Sequence, residues 1–263
     1  MNETSPRKQA ETAILRAENL EVDFDGFKAI LGLDFQLQYG ELRFLIGPNG
    51  AGKTTLLDVI CGKAKPSKGK MLFKGHIDIA RHQEHQIAQL GIGRKFQAPS
   101  IFMTLSVLEN MLLSLKQNRG LLSSLITKTT SEQRDKLVHY LSMIGLSNKS
   151  KEKAGSLSHG EKQWLEIGML LIQEPELLLL DEPAAGMTDA ETEKTGELLH
   201  KINNNQTVIV VEHDMEFVRQ FAKTVTVMHE GSILREGTMQ DIQQDDKVAE
   251  VYLGRRGERH AGD

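Results

Sequence analysis

One stretch decides the fold of this 263-residue chain: Gly47-Pro48-Asn49-Gly50-Ala51-Gly52-Lys53-Thr54. It fits the pattern G-x-x-x-x-G-K-[ST], and it lies between a compact apolar run at 42–46 and a helical pattern at 54–60. Glycines let successive backbone N–H groups curl around a phosphate, and the following helix start adds a positive dipole end. We expect Lys53 to reach the β- and γ-phosphates of a nucleotide and the Thr54 hydroxyl to bind Mg²⁺. The alternative is a glycine-rich turn with a solvated lysine.

A second run, Leu177-Leu178-Leu179-Leu180-Asp181-Glu182-Pro183, predicts an apolar strand that ends in two carboxylates. Two anions at the end of a buried strand repel each other and are poorly solvated unless a cation or water compensates them. Mg²⁺ can supply that cation, which makes Asp181 the metal-side carboxylate. Glu182 is then placed to polarise the water that attacks the γ-phosphate. Taken alone, the pair would be a solvated strand–loop junction; the phosphate loop favours the metal site.

A third motif, Leu157-Ser158-His159-Gly160-Glu161, precedes a helical run at 162–171. Its spacing predicts a capping box, in which Ser158 caps the helix and Glu161 reaches back. A serine hydroxyl and free amides at a helix N-terminus also form an anion site. The chain therefore holds two phosphate-binding helix starts, one more than a single NTPase site needs.

The remaining pattern predicts an α/β fold. Short apolar runs without alternation favour a parallel sheet covered on both faces. Strands are expected over 15–24, 30–37, 42–46, 177–180, 207–211 and 225–228, with a terminal hairpin through 230–234. Helices are expected over 54–60, 83–90, 131–144 and 190–202, and another begins at Ser106. We expect polar tails at 1–12 and 255–263.

Composition and charge exclude several classes of protein. Hydrophobic residues make up 39% and charged residues 26%, a globular balance, and the formal net charge of −4 gives no electrostatic reason to expect nucleic acid. The single cysteine, Cys61, rules out an internal disulfide and a cysteine metal cage. No run approaches the roughly 18 apolar residues of a membrane span, and the first residues lack the apolar core of a signal peptide. We expect a soluble intracellular protein.

These motifs, in this order, resemble the nucleotide-binding subunit of an ABC transporter over residues 15–254. The resemblance implies a P-loop NTPase core of ABC type, with an N-terminal antiparallel β subdomain and an inserted helical subdomain at about 98–156. In this family the helix start at Ser158 is the signature, which contacts the γ-phosphate of ATP held by the partner subunit. One cassette therefore supplies half of each site, and two cassettes close head to tail over ATP.

The resemblance also implies roles for individual residues. Gln97 matches the glutamine that senses Mg²⁺ and the attacking water, and His213 matches the histidine that orients Glu182 and the γ-phosphate. Phe24 holds the position of the aromatic side chain under adenine, with Phe27 as a competitor. The residues that would bind ATP and Mg²⁺ are Phe24, Gly47, Asn49, Gly50, Ala51, Gly52, Lys53, Thr54, Thr55, Gln97, Ser158, Gly160 and Asp181, with Thr54, Gln97 and Asp181 on the metal side.

Two departures from the family pattern stand out. His159 and Glu161 replace the commoner glycine and glutamine of the signature, and Glu161 brings a carboxylate near an incoming phosphate unless capping turns it backwards. Thr188 stands where the family more often has an aspartate that communicates across the dimer. No aspartate role is carried over to that position.

Within the family, the segments 184–187 and 251–254 resemble the branch that imports branched-chain amino acids and urea. The stretches 41–62, 157–170 and 185–192 resemble the urea transporter's ATP-binding subunit. The expected function is therefore to power import of a small polar solute, urea first. The alternatives are a branched-chain amino acid importer and a non-transport ABC ATPase; the interval from Lys53 to Ser158 is too short for the long coiled coil of chromosome-type members.

The resemblance implies partners as well. We expect a second ABC ATPase subunit, identical or related, two integral-membrane permeases, an extracytoplasmic solute-binding protein reached through them, and a place on the cytoplasmic face of the cell membrane. The segment 98–103 carries apolar residues beside Gln97. It would be either the core of the helical subdomain or a groove for a permease helix.

Overall fold

The computed structural model describes residues 13–95, 101–115 and 130–253. The predicted tails at 1–12 and 255–263, the residue Gln97 and the start of the inserted segment at 98–100 lie outside the described residues. Within the described part of the chain, no helix is long and apolar enough to cross a membrane.

Ten strands are found among the described residues. They are β1 (Ala13–Phe24), β2 (Phe27–Gln38), β3 (Leu42–Ile46), β4 (Lys68–Phe73), β5 (Ile77–Asp78), β6 (Ile92–Lys95), β7 (Leu177–Asp181), β8 (Thr207–Val211), β9 (Thr224–His229) and β10 (Ser232–Gly237). Nine α-helices accompany them in the described ranges. They are α1 (Lys53–Ile60), α2 (Glu84–Gln89), α3 (Val107–Ser114), α4 (Ser131–Met143), α5 (His159–Leu171), α6 (Asp189–Asn203), α7 (Met215–Phe221), α8 (Met239–Gln243) and α9 (Asp246–Leu253).

The larger sheet carries the phosphate loop. Its strand order is β10-β9-β3-β8-β7-β6, and the five strands from β9 to β6 are parallel. Every residue of β3, β7 and β8 is buried, because helices cover one face of the sheet and α1 with the antiparallel strands covers the other. The carboxyl ends of β3 and β7 therefore lie at one edge, with β8 between them, and this edge is where ligands bind in open parallel sheets.

The smaller sheet is antiparallel, in the order β2-β1-β4-β5. A tight turn at Asp25 and Gly26 joins β1 to β2, and both residues have positive φ, +52° and +94°. This arrangement confirms the expected α/β fold with an N-terminal antiparallel subdomain.

Helix starts follow their sequence signals closely. Ser106, Thr130, Ser158 and Thr188 each cap a helix, and in each case the side chain three residues on bonds back to the cap. The described part of the predicted helical subdomain contains α3, α4 and two short 3-10 turns, Ser147–Lys149 and Ala154–Ser156. Its boundaries at 98 and 156 stay a prediction.

Three strands have no counterpart in the sequence prediction: β4, β5 and β6. In β6 the charged side chains of Arg94 and Lys95 are buried, which no apolar pattern signals. Arg94 pairs with Asp58 and Asp181, and Lys95 pairs with Glu166 at 3.6 Å. Ion partners distant in sequence therefore make this strand possible.

Candidate active site

The phosphate loop bends back between β3 and α1. Gly47 and Gly52 have φ of +152° and +99°, and a Cβ there would lie 2.2 Å from the Met228 carbonyl oxygen or 2.8 Å from that of Ala29. These two positions therefore require glycine. The Lys53 ammonium donates to the carbonyl oxygens of Gly47 and Pro48, at 2.6 and 3.0 Å, so the lysine folds over its own loop.

The other predicted loop residues line the same turn. Asn49, Gly50 and Thr54 are exposed, Thr55 is half-buried, and Ala51 is buried beneath them. The Ala51 N–H donates to the Pro48 carbonyl oxygen at 3.2 Å. The loop therefore presents Asn49, Gly50 and Thr54 to solvent, where a phosphate would arrive.

The acidic end of β7 faces this loop. Asp181 is 4% exposed, and its carboxylate lies 3.6 Å from the guanidinium of Arg94. Burial raises the pKa of Asp181, and the charge of Arg94 opposes that shift. Burial also lowers the pKa of Lys53, while Glu182 and Asp181 attract its charge and oppose the change. The two carboxylates and the lysine thus act on one another electrostatically.

Glu182 and His213 meet beside the same strand end. The N–H of Glu182 donates to the Val211 carbonyl oxygen at 2.9 Å, and its φ is +49°, a left-handed conformation uncommon for this residue type. His213 is exposed, and its Nδ1 lies 3.4 Å from Glu182 Oε1. The structure therefore brings together the two residues expected to activate the attacking water, and the unusual backbone aims Glu182.

Glu212 is a site residue that the sequence analysis missed. It is 1% exposed, and its carboxylate accepts the N–H groups of Ala184 at 3.2 Å and His213 at 3.3 Å. It therefore joins the loop after Glu182 to the backbone of His213. Its position between a buried strand and the histidine is the signal that could have marked it.

The buried Glu212 predicts a pH-dependent stability. Burial raises its pKa to about 7 against the opposing N–H donors, above the ordinary 4.5. Its contribution to stability is therefore full below pH 4.5 and is lost as the pH rises through 7. We expect Glu212→Gln to match the wild type at about pH 5 and to exceed its free energy of unfolding by about 2 kcal/mol at about pH 8. Urea unfolding at both values checks this.

The control for this prediction is Glu216→Gln, which changes an exposed carboxylate on α7. Its effect should be the same at both pH values. A difference between Glu212→Gln and the wild type that does not grow with pH would contradict the buried charge.

The capping box predicted at Ser158 is formed. The Ser158 hydroxyl accepts the Glu161 N–H at 3.2 Å, and the Glu161 carboxylate accepts the Ser158 N–H at 3.1 Å. Lys149 also holds the Glu161 carboxylate, at 2.7 Å. The Glu161 carboxylate thus bends back to the Ser158 N–H, as the capping geometry requires. The Ser158 hydroxyl donates to Glu191 at 2.8 Å, and Gly160 lies buried beside it.

The two candidate adenine-stacking residues lie on the β1–β2 turn. Phe24 and Phe27 are directly paired across the strands, and they are 49% and 67% exposed. Gln97, the remaining predicted site residue, lies outside the described residues.

A model of the family described as "ABC transporter" matches residues 30–185 of the chain. The chain belongs to the ABC transporter family. Its fold agrees with a solved structure, the ADP conformation of MJ1267, "an ATP-binding cassette of an ABC transporter". The TM-score is 0.80 with 31% identity, over 92% of this chain and 99% of that one.

Two curated relatives match this chain over almost their full length. The chain is 35% identical over 251 residues to the high-affinity branched-chain amino acid transport ATP-binding protein LivG of Escherichia coli (strain K12), covering 92% of this chain and 98% of LivG. It is 31% identical over 250 residues to the corresponding protein BraF of Pseudomonas aeruginosa, with 92% and 98% covered. It is therefore a homologue of the ATP-binding subunits of branched-chain amino acid importers.

Membership of the ABC family confirms part of the sequence analysis. ATP-binding subunits of ABC transporters bind ATP, hydrolyse it to power transport, dimerise and work with membrane permeases. The expected ABC cassette fold and the assignment as an ATPase are thus confirmed.

His159 and Thr188, two residues that depart from the family pattern, each make a specific contact. His159 Nε2 lies 3.1 Å from the Ala185 carbonyl oxygen, in the loop that follows Glu182. Thr188 caps α6, and its hydroxyl accepts the Glu191 N–H. His159 therefore ties the signature helix α5 to the loop after Glu182, and Thr188 caps α6 at the end of that loop.

Proposed function

We propose that this ABC ATPase powers import of a small polar solute and hydrolyses ATP at sites shared by two cassettes. The observation that carries the proposal is the division of the phosphate-binding groups. Lys53, Asp181, Glu182 and His213 gather at one edge of the parallel sheet. Ser158 caps a separate helix, α5, and it is exposed. Two chains placed head to tail complete each site.

Binding of ATP changes the contacts of Lys53. Its ammonium leaves the carbonyl oxygens of Gly47 and Pro48 and bonds to the phosphates, while the loop N–H groups and the start of α1 hold the remaining oxygens. Phe24 or Phe27 stacks on adenine, since both rings are exposed on the same turn.

The residues near Lys53 fit Mg²⁺. No group of three or more histidine, cysteine or acidic residues that could hold a metal occurs in the described ranges. Mg²⁺ instead takes one or two hard oxygen ligands from protein and others from substrate phosphates. The Thr54 hydroxyl and the Asp181 carboxylate would be such ligands, and the family resemblance adds Gln97 as a third. When bound, the ion neutralises charge that develops on the phosphates.

Hydrolysis is assigned to Glu182 and His213. Glu182 accepts a proton from the attacking water, and the imidazole of His213, 3.4 Å away, holds the carboxylate in place. Glu212 holds the backbone near both residues, because its carboxylate accepts the N–H groups of Ala184, two residues after Glu182, and of His213.

The permease surface is proposed on the segment at 101–103. Ile101 is buried, whereas Phe102 and Met103 are exposed. The sequence predicts either subdomain core or a permease groove for this segment, and its residues fit both roles. Ile101 belongs to the subdomain core, and the exposed pair is available to an apolar permease helix. This assembly puts the chain on the cytoplasmic face of the membrane, with a solute-binding protein on the other side and no nucleic acid.

The named relatives favour a branched-chain amino acid as the imported solute, because LivG and BraF both carry that name. Urea is the second candidate. It is favoured by the resemblance of segments 41–62, 157–170 and 185–192 to a urea transporter's ATP-binding subunit, and neither relative's name supports it. The branched-chain amino acid is therefore the first substrate to test.

The test is reconstitution of the purified membrane complex in liposomes with its solute-binding protein. ATP hydrolysis is measured with leucine, with urea and with neither. Severalfold stimulation by leucine supports the first candidate, and stimulation by urea alone selects the second. Co-purification with ribosomes or DNA in place of permeases would contradict an importer and favour a non-transport ABC ATPase.

Trp164, the single tryptophan, offers a reporter of dimer closure. Its indole N–H donates to Thr195 at 2.9 Å, and the ammonium of Lys194 lies 5.9 Å from its ring. Since α5 begins at the shared site, we expect Mg²⁺ and ATP to shift Trp164 emission in Glu182→Gln protein, more strongly at higher protein concentration. ADP should give a smaller shift. Equal spectra with ATP and ADP, where sizing shows an ATP-dependent dimer, would refute the reporter.

A further inference from the structure

One carboxylate, that of Glu191, joins the start of α5 to the start of α6. Its Oε1 accepts the Ser158 hydroxyl at 2.8 Å. Its Oε2 accepts the N–H and the hydroxyl of Thr188, at 3.1 and 3.0 Å. The carboxylate also lies against the backbone of Gly160, which contributes to the lowered pKa of Glu191. Glu191 therefore lies at the start of α5, with its carboxylate bonded to the Ser158 hydroxyl.

The position of Gly160 supports this placement independently. A Cβ on Gly160 would lie 2.6 Å from Glu191 Cδ, so only glycine lets the carboxylate approach the first turn of α5. The hydrogen bonds from Thr188 and Ser158 lower the pKa of Glu191, which keeps it ionised. The other nearby carboxylate, Glu161, bonds to the Ser158 N–H and to Lys149 instead of the Ser158 hydroxyl. The carboxylate that bonds to the Ser158 hydroxyl, beside Gly160, is thus that of Glu191.

We propose that Glu191 is a positioning residue that fills the phosphate site of Ser158 and Gly160 until ATP on the partner cassette displaces it. The proposal rests on the proposed function, since it needs the shared site. A phosphate that bonds to Ser158 takes over a hydrogen bond now made to Glu191.

Displacement of Glu191 also changes contacts near Glu182 in the same chain. The carboxylate that leaves Ser158 is the one that caps α6 through Thr188, and Thr188 ends the loop that begins after Glu182. His159 contacts that loop at the Ala185 carbonyl oxygen. ATP bound by the partner therefore changes the contacts of the segment next to Glu182, although Thr188 replaces the commoner aspartate.

The experiment measures ATP-dependent dimerisation in Glu182→Gln protein by analytical ultracentrifugation. Adding Glu191→Ala removes the competing anion, so the ATP concentration that gives half-maximal dimer should fall about tenfold or more, the range for losing a hydrogen bond to a charged group. The control Glu193→Gln removes a charge from the exposed face of the same helix and should leave that concentration unchanged. An unchanged or higher concentration for Glu191→Ala would overturn the proposal.

Two further measurements, the Tm of the variants and the ATP requirement of Glu191→Gln, separate this role from simple helix capping. Loss of a cap lowers Tm but does not strengthen dimerisation, so a lower Tm with a lower ATP requirement supports displacement. Glu191→Gln keeps an oxygen that can accept from Thr188 but loses the charge, and it should shift the ATP requirement in the same direction by less. If the Glu182→Gln parent forms no dimer with ATP, the ATP site is not shared between two chains. If the parent dimerises and the Glu191 variants leave its ATP requirement unchanged, Glu191 does not compete with ATP.

Discussion

Replacement of Glu182 by glutamine is expected to slow ATP hydrolysis by a factor of about 10²–10⁴, the usual effect of removing a general base. Glutamine has nearly the same shape as glutamate, and Lys53 and the phosphate loop are untouched, so ATP binding should persist. The geometry behind this prediction is the left-handed backbone of Glu182 and the 3.4 Å contact with His213. Turnover by the assembled transporter, with nucleotide binding measured in parallel, checks the result.

Glu174 provides the matched control for Glu182→Gln. It is also a glutamate in the left-handed region, with φ of +54°, but it lies after α5 and pairs with Lys136 at 3.0 Å. Glu174→Gln should leave the rate of hydrolysis close to that of the wild type. Near-normal turnover by Glu182→Gln would show that Glu182 is not the general base.

The second large effect is complementation between two inactive proteins. Lys53→Ala removes the phosphate-binding lysine, and Ser158→Arg puts a bulky side chain at the start of α5, so each homodimer has two damaged sites. A mixed dimer has one site built from the intact Lys53 of one chain and the intact Ser158 of the other. An equal mixture that exchanges freely should therefore regain about a quarter of the wild-type sites.

The measurement is ATPase activity of each protein alone and of the mixture, with mixed dimers counted through two different affinity tags. Thermal melting shows whether each variant is folded, since Ser158 also caps α5. Absence of recovery where mixed dimers are present would count against a site shared between chains.

Much of this fold could be predicted because local signals and tertiary packing agree. The continuous apolar runs of β7 and β8 become fully buried parallel strands. The glycines of the phosphate loop take the conformations that the motif needs, and the capping box at Ser158 forms as its spacing predicts. Each signal lies within a few neighbouring residues, so the sequence alone reveals it.

Other features depend on partners far apart in sequence. Strand β6 buries Arg94 because Asp58 and Asp181 compensate its charge. Glu212 is held at the site by Ala184, which the chain brings close only when β7 and β8 pair. For Glu191 a local signal existed, since Thr188 and Glu191 have capping-box spacing. Its bond to Ser158 did not follow from that spacing, because it requires the packing of α5 against α6.

The most direct test of the shared ATP site is sedimentation of Glu182→Gln protein with radiolabelled ATP and Mg²⁺. We expect a dimer that carries two ATP molecules and that returns to monomer with ADP, because the γ-phosphate joins the two cassettes. A monomer that binds one ATP molecule at saturating nucleotide and high protein concentration would contradict it.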